Sequence, residues 1–185
     1  MITRKITLIL AVGAALAAGT AGASSTAAYQ SQIFDPAFSI VLQPGWTVAE
    51  RGVGAAQIYK NCSNCVHQGE ENGEVTLDMA LSGSTPTSAI KRLRSTAGLV
   101  PGPVNSLSIG TLRGWSFMAQ RDDLPIVFPQ SGYRTDASGS PLQIIAVRAR
   151  GKTVTIFIDP HEATAAQTPR FMKNAAALLR GLRFR

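Results

Sequence analysis

The stretch from Phe38 to Trp46, FSIVLQPGW, predicts a strand, a turn and the start of a second strand. Phe38, Ile40 and Leu42 stand two positions apart, which is the spacing of a strand with one buried face. The Pro-Gly pair that follows is a turn signal, because proline fixes one backbone angle and glycine accepts conformations that other residues avoid. A second strand is predicted at 46–48, so that the two strands form an opening hairpin.

Downstream of this stretch the chain carries further strand and helix signals. Residues 75–81 alternate apolar and polar side chains and predict a strand, and a shorter strand is expected around 55–59. Thr85 is suited to cap a helix that begins at Pro86, because its hydroxyl can accept a bond from a free helix amide. Gly98 is the expected end of that helix.

The second half of the chain predicts more strands and a final helix. The predicted elements are strand structure at 107–120 with a bend or bulge at Gly110 and at Gly114, a long surface excursion at 122–140, and a hairpin of 142–148 with 153–158. Thr168 and Pro169 are expected to cap and open the last helix, which has apolar residues at helical spacing and ends at Gly181.

The opening stretch and the final helix together resemble the PsbP-like fold group. In that group an amphipathic strand runs into a Pro-Gly-Trp turn, as at Phe38–Trp46, and here the last helix leads into Leu182-Arg-Phe184. The resemblance covers residues 33–185 in layout. It implies an α+β fold, a central antiparallel sheet with helices packed on its faces, in a single domain. Members of the group are extracytoplasmic or organellar, and most are accessory or docking proteins rather than enzymes.

The first 23 residues have the layout of a secretory signal peptide. A basic head and the apolar run 6–18 lead to a small-residue cleavage site that ends at Ala23. The apolar run is shorter than the roughly 20 residues that span a bilayer. We therefore predict a signal peptide at 1–23, a flexible tether at 24–32, and a periplasmic or secreted protein with no transmembrane segment after cleavage near Ala23.

The charge balance of the mature chain is basic. A chain that starts at Ser24 keeps 16 Lys and Arg residues against 11 Asp and Glu residues, a net charge of +5. This balance favours an unknown partner protein or an anionic envelope component, and the same charge also serves solubility. Nucleic acid is not expected as a partner, because the basic residues form no dense run and no nucleic-acid-binding motif is recognised.

Cys62 and Cys65 are the two cysteines of the chain. In an oxidising compartment two cysteines this close favour a disulfide, which closes a small loop and adds only about 2 kcal/mol. A redox-active pair would begin a helix, but the glycine-containing residues that follow favour a helix poorly. A metal site could add His67 to the cysteines, giving three ligands where zinc usually takes four. Covalent haem attachment is excluded, because Val66 stands where the histidine would follow.

Three other segments carry polar candidates. Asp159–Glu162 (DPHE) follows a strand, where it could bind a cation or transfer a proton, or form a turn with solvated side chains. Ser82–Thr85 (SGST) resembles a phosphate-binding loop that lacks its lysine, and it can equally cap the following helix. Ser116 is not a hydrolase nucleophile, since its surroundings lack the second glycine of that motif.

These signals predict a non-catalytic periplasmic or secreted accessory or binding protein, with no catalytic residue, no metal ligand and no cofactor assigned. The alternative is a redox or metal-binding protein that uses the loop of Cys62, Cys65 and His67. A third hypothesis is a protein that contacts an anionic surface through its basic final helix.

Overall fold

A large antiparallel sheet forms the centre of the fold. The computed structural model describes residues 27–60, 73–122, 126–127, 134–135, 141–160 and 167–185. The strands within these ranges are β1 (Ala27–Gln30), β2 (Phe38–Leu42), β3 (Trp46–Gly52), β4 (Ala55–Lys60), β5 (Glu74–Met79), β6 (Leu99–Pro101), β7 (Asn105–Ile109), β8 (Leu112–Arg121), β9 (Ile126–Val127), β10 (Arg134–Thr135), β11 (Leu142–Ala149), β12 (Lys152–Asp159) and β13 (Arg183–Phe184). The helices are α1 (Pro86–Arg94) and α2 (Thr168–Arg180).

The large sheet has eight strands in the order β3-β4-β5-β12-β11-β8-β6, with β7 also paired to β8. Its strands pair antiparallel throughout. A second sheet, β1-β2-β13, joins the start and the end of the described chain, because Arg183 and Phe184 pair with Ser39 and Phe38. The predicted pairing of the opening hairpin is wrong, since β2 and β3 belong to different sheets and the Pro-Gly turn redirects the chain from one to the other.

Both faces of the large sheet are covered in its central part. On β11, Ile145 and Val147 belong to one buried cluster, whereas Ile144 and Ala146 belong to another. The first cluster includes side chains of α2 and of the small sheet, and the second includes those of α1. Consecutive strand residues point to opposite faces, so the two helices lie on opposite sides of the sheet. The described part of the chain is mostly antiparallel sheet with two helices, and strand dominates.

The start of α1 follows the sequence prediction closely. Thr85 Oγ1 accepts a hydrogen bond from Ser88 N at 3.1 Å, and Ser88 Oγ accepts one from Thr85 N at 2.8 Å. This capping box satisfies two backbone donors that the first turn leaves free. The helix ends at Arg94, before the predicted stop at Gly98.

The second helix departs from its predicted cap by one residue. Thr168 is the first residue of α2, and Gln167 takes the cap position without a side-chain hydrogen bond. Gly181 ends the helix as predicted. Neither described helix has the length and apolar character needed to cross a membrane.

β1 lies inside the segment predicted as a flexible tether. Tyr29 pairs with Ile40 on β2, and its ring lies 6.0 Å from that of Phe38 between centroids. Residues 27–32 are therefore part of the fold rather than a tether. The predicted signal peptide at 1–23, and the rest of the tether, lie outside the described residues.

Gly114 marks a close approach between β8 and β11. A Cβ atom at this position would lie 2.0 Å from the carbonyl oxygen of Ala146. The sequence predicts a bend or bulge at Gly114, but β8 keeps a regular register there with both β7 and β11, and the glycine is a place where two backbones touch. Gly110, by contrast, lies in the turn between β7 and β8 with a φ of 58°.

We expect Gly114→Ala to lower the free energy of unfolding by about 2 kcal/mol or more, because β8 or β11 must move to admit the methyl group. Urea unfolding measures the loss. Gln120→Ala, at an exposed site on the same strand, is the control and should change stability by less than about 0.5 kcal/mol. Equal losses in the two variants would contradict the close approach.

Candidate functional site

A groove runs beside α1 where the chain from β6 to β7 passes the helix. One cavity of about 460 Å³ is lined by Ile90, Pro101 and Val104 together with Trp115. An adjoining cavity of about 440 Å³ is lined by residues of β7 and β8. The two cavities share Thr87 and Trp115, so they form one depression, which we call the α1 groove.

Trp115 forms the meeting point of the two cavities. It pairs with Ala146 on β11, while Phe117 pairs with Ile144. These partners belong to the core under α1, so the Trp115 side chain lies on the same face as that helix. Phe117 is fully buried there, but Trp115 remains 40% exposed because α1 does not extend over it. An exposed indole in a groove is a typical anchor for a binding partner.

The rim of the α1 groove is basic. Lys91 and Arg94 line the first cavity, and Arg113 lines the second. Arg94 Nη2 donates to the carbonyl oxygen of Gly102 at 3.4 Å, and Arg113 Nη1 donates to Ser108 Oγ. Among the described residues that line the groove there is no Asp or Glu. The groove therefore combines an apolar floor with a positive rim, which attracts anionic groups.

The cysteine site predicted from the sequence falls in a segment that the structure does not describe. Cys62, Cys65 and His67 lie outside the described residues, so the disulfide, redox and metal hypotheses remain predictions. The described strands next to residues 61–72 are adjacent in the sheet, because Glu74 pairs with Tyr59 on one side and with Asp159 on the other. The strand ends that flank residues 61–72 and 161–166 are thus neighbours in the sheet. Within the ranges that the structure describes, His, Cys, Asp and Glu side chains form no group of three that could hold a metal.

Asp159 is buried in an ion pair rather than solvated. Arg121 Nη1 donates to Asp159 Oδ2 at 2.8 Å, and the two side chains are 0% and 1% exposed. The expectation of a turn with solvated side chains is therefore wrong for this residue, because Arg121 at the end of β8 reaches across β11 to it. His161 and Glu162 of the same segment lie outside the described residues.

Buried polar side chains of the strands form a polar layer on the part of the sheet face that α1 does not cover. Glu74 is buried on β5, where it accepts hydrogen bonds from Gln57 on β4 and from Thr76. Arg51 Nη2 donates to Gln57 Oε1 at 2.6 Å and continues the chain of bonds toward solvent. Sequence reasoning missed this layer, because alternating polar residues on a strand usually face water. The buried acidic residue Asp78 lies on the same face of β5, and only the fold shows that this face is covered.

Comparison with known proteins places the fold. No protein-family model and no curated protein matches this chain. Cyanobacterial PsbP (CyanoP) from Synechocystis sp. PCC 6803 is similar over 91% of this chain and 99% of its own, at a TM-score of 0.52 and 10% identity. A protein of Bacteroides thetaiotaomicron VPI-5482 has a TM-score of 0.41 and 12% sequence identity, and the match covers 80% of this chain and 45% of that protein. LpqN, involved in cell envelope biogenesis of Mycobacterium tuberculosis, has a TM-score of 0.45 and 11% sequence identity, and the match covers 84% of this chain and 89% of LpqN.

The chain therefore has a PsbP-like fold, as its opening stretch and final helix predict. The likeness concerns backbone architecture, because so few residues are shared. A fold of this kind hosts sites that must be argued from their own residues.

Breaking the buried ion pair should be costly. We expect Arg121→Met and Asp159→Leu each to lower the free energy of unfolding by about 3–5 kcal/mol, because each removes an oppositely charged, hydrogen-bonded partner from a buried charge. The double variant should lose less than the sum of the two. Urea unfolding of the four proteins measures this coupling.

The exposed pair of Lys152 with Asp35 provides the control for that measurement. Its side chains are 41% and 52% exposed, so the same cycle there should give a coupling of less than about 1 kcal/mol. Additive losses at Arg121 and Asp159 would contradict the account of a buried, mutually dependent pair.

Proposed function

We propose that this protein is a non-catalytic accessory protein that acts outside the cytoplasm and binds an acidic segment of a partner protein in the α1 groove. The observation that carries the proposal is the exposed Trp115 in a groove whose rim bears Lys91, Arg94 and Arg113. These cationic side chains donate hydrogen bonds and attract carboxylates, while the indole offers apolar contact area.

The shape of the groove favours a peptide chain over a membrane surface. A lipid bilayer is locally flat and makes its contacts with protruding side chains, whereas the α1 groove is recessed between a helix and a sheet edge. Its floor is apolar, with Ile90, Pro101 and Val104 around the indole. An acidic polysaccharide would satisfy the cations but offers few apolar groups. The proposed occupant is therefore an acidic segment with one apolar anchor side chain.

Export from the cytoplasm is the second part of the proposal. It is supported by the basic head, the apolar run 6–18 and the small residues that end at Ala23. In the oxidising space beyond the inner membrane, Cys62 and Cys65 are proposed to form a disulfide.

Intact mass spectrometry tests this part. Protein recovered from the periplasm or the medium should begin at Ser24 and gain the mass of two hydrogen atoms on reduction. A Cys62→Ser, Cys65→Ser variant should show the same start and no such gain. Full-length protein retained in the cytoplasm, or free thiols in exported protein, would contradict export or the disulfide respectively.

Fluorescence of Trp115 tests the groove directly. The chain has two tryptophans, and Trp46 is buried beside Phe171, so Trp46→Phe leaves Trp115 as the sole reporter. Titration with a short Glu-rich peptide that carries one leucine should shift the emission to the blue and saturate. In that background Lys91→Glu should weaken binding about tenfold, because a rim charge is reversed.

The matched control is Lys173→Glu, which changes another exposed lysine, on α2 at the opposite face of the sheet. It changes the net charge by the same amount and should alter the affinity by less than about twofold. Equal loss in the two variants would show unspecific attraction. A response to anionic vesicles without one to the peptide would overturn the choice of a protein partner.

A further inference from the structure

A separate cavity of about 590 Å³ lies at the start of α1, between the loop Ser82–Thr85 and the turn of the β11–β12 hairpin. Arg148, Lys152 and Thr153 of that hairpin line it. The sequence shows a phosphate-type loop without a lysine partner. The fold supplies basic partners from a hairpin whose Arg148 stands 64 residues after Ser84.

Two guanidinium groups converge on Ser84. Arg92 Nη1 donates to Ser84 Oγ at 3.4 Å, and Arg148 Nη1 donates to the carbonyl oxygen of Ser84 at 3.3 Å. Both guanidinium groups bond to the same residue, so an anion beside Ser84 would be attracted by two positive charges. Lys152 adds a third cation. Among the described residues, one acid, Asp35, bonds to one of these three cations, and that cation is Lys152.

The loop is held in place by bonds that leave its hydroxyl side open. Thr153 Oγ1 donates to the Ser84 carbonyl oxygen and fixes it to β12. The capping box of Thr85 and Ser88 already satisfies the helix start, so the site depends on side chains of three elements rather than on free helix amides. Gly83 has a φ of 78°, and a Cβ atom added there would meet no other atom within 4 Å, so the loop turns without filling the cavity.

We propose that this cavity binds the phosphate group of a small ligand, with Arg148 and Lys152 of its lining as cationic partners and the hydroxyls of Ser82 and Ser84 as further donors. Arg92 is not part of the lining and acts through its hydrogen bond to Ser84 Oγ. Arginine suits this task, because its planar guanidinium can donate two parallel hydrogen bonds to one phosphate. The volume exceeds that of a phosphate alone and falls in the range of small-ligand sites. The site does not depend on the α1 groove, and it stands whether or not that groove binds a peptide.

Isothermal titration of the full mature chain with inorganic phosphate and with glycerol phosphate tests the proposal, with chloride and acetate at equal ionic strength as controls. Phosphate probes should bind saturably. Arg148→Gln should weaken binding by about tenfold or more, which is the value of one charge-assisted hydrogen bond. Arg150→Gln, in the same turn but outside the cavity lining, is the matched control and should change affinity less than about twofold.

Thermal unfolding checks that each variant folds, and Lys152→Gln, at the other cation of the cavity lining, serves as the second probe if Arg148→Gln does not fold. Binding of soluble glycerol phosphate would support a free phosphate ester, and binding only to phosphatidylglycerol vesicles would support a lipid headgroup, each provided that Arg148→Gln weakens it. Absence of saturable binding to every phosphate probe, or equal losses in Arg148→Gln and Arg150→Gln, would overturn the proposal.

Discussion

Burial of both faces of β11 and β12 is the constraint on which the rest of the structure depends. Ile144, Ile145, Ala146 and Val147 are consecutive and all are at most 2% exposed. An antiparallel sheet commonly leaves one face in water, but side chains like these require a layer on each face. α2 and the small sheet supply one layer, and α1 supplies the other. A helix of nine residues is only about 14 Å long. The sheet is seven strands wide, because β6 and β7 pair with the same side of β8, and it extends over about 29 Å, so α1 cannot cover its whole face.

The features of functional interest border α1, which covers only part of its sheet face. On one side its short length leaves Trp115 exposed and opens the α1 groove, and at its start it leaves the cavity beside Ser84. Farther along the same sheet face, where α1 does not reach, lie the buried polar residues around Glu74. The cations Lys91, Arg92 and Arg94 come from the helix that creates these openings, so one short element sets both the shape and the charge of the surface.

The local elements could be predicted because their signals are local. The alternation of 75–81, the cap at Thr85 and the hairpin of β11 and β12 all act within a few residues of each other, and the structure confirms them. β1 could not be predicted, because its short polar-and-alanine stretch forms a strand only by pairing with β2. The partner sheet of β2 was likewise hidden, since the Pro-Gly turn shows a change of direction but not which strand lies next to it.

Much of the candidate site depends on contacts between distant parts of the chain. Arg121 and Asp159 are 38 residues apart, and Arg148 and Ser84 are 64 residues apart, so no spacing in the sequence indicates either pair. Trp115 lies beside Thr87 in the first turn of α1, and its exposure depends on where the helix packs on the sheet, which the sequence does not show. Sequence did identify the loop Ser82–Thr85 and the basic balance, but the structure was needed to bring them together.

The most direct measurement is a chemical-shift map of the isotope-labelled mature protein during titration with the acidic, leucine-containing peptide. The account predicts that the indole N–H of Trp115 and the amides of α1 and of residues 101–108 shift together and saturate. The indole of Trp46, buried on the opposite face, should stay unchanged and serves as an internal reference. Shifts confined to α2, or spread evenly over every basic part of the described surface, would contradict the assignment of the α1 groove as the binding site.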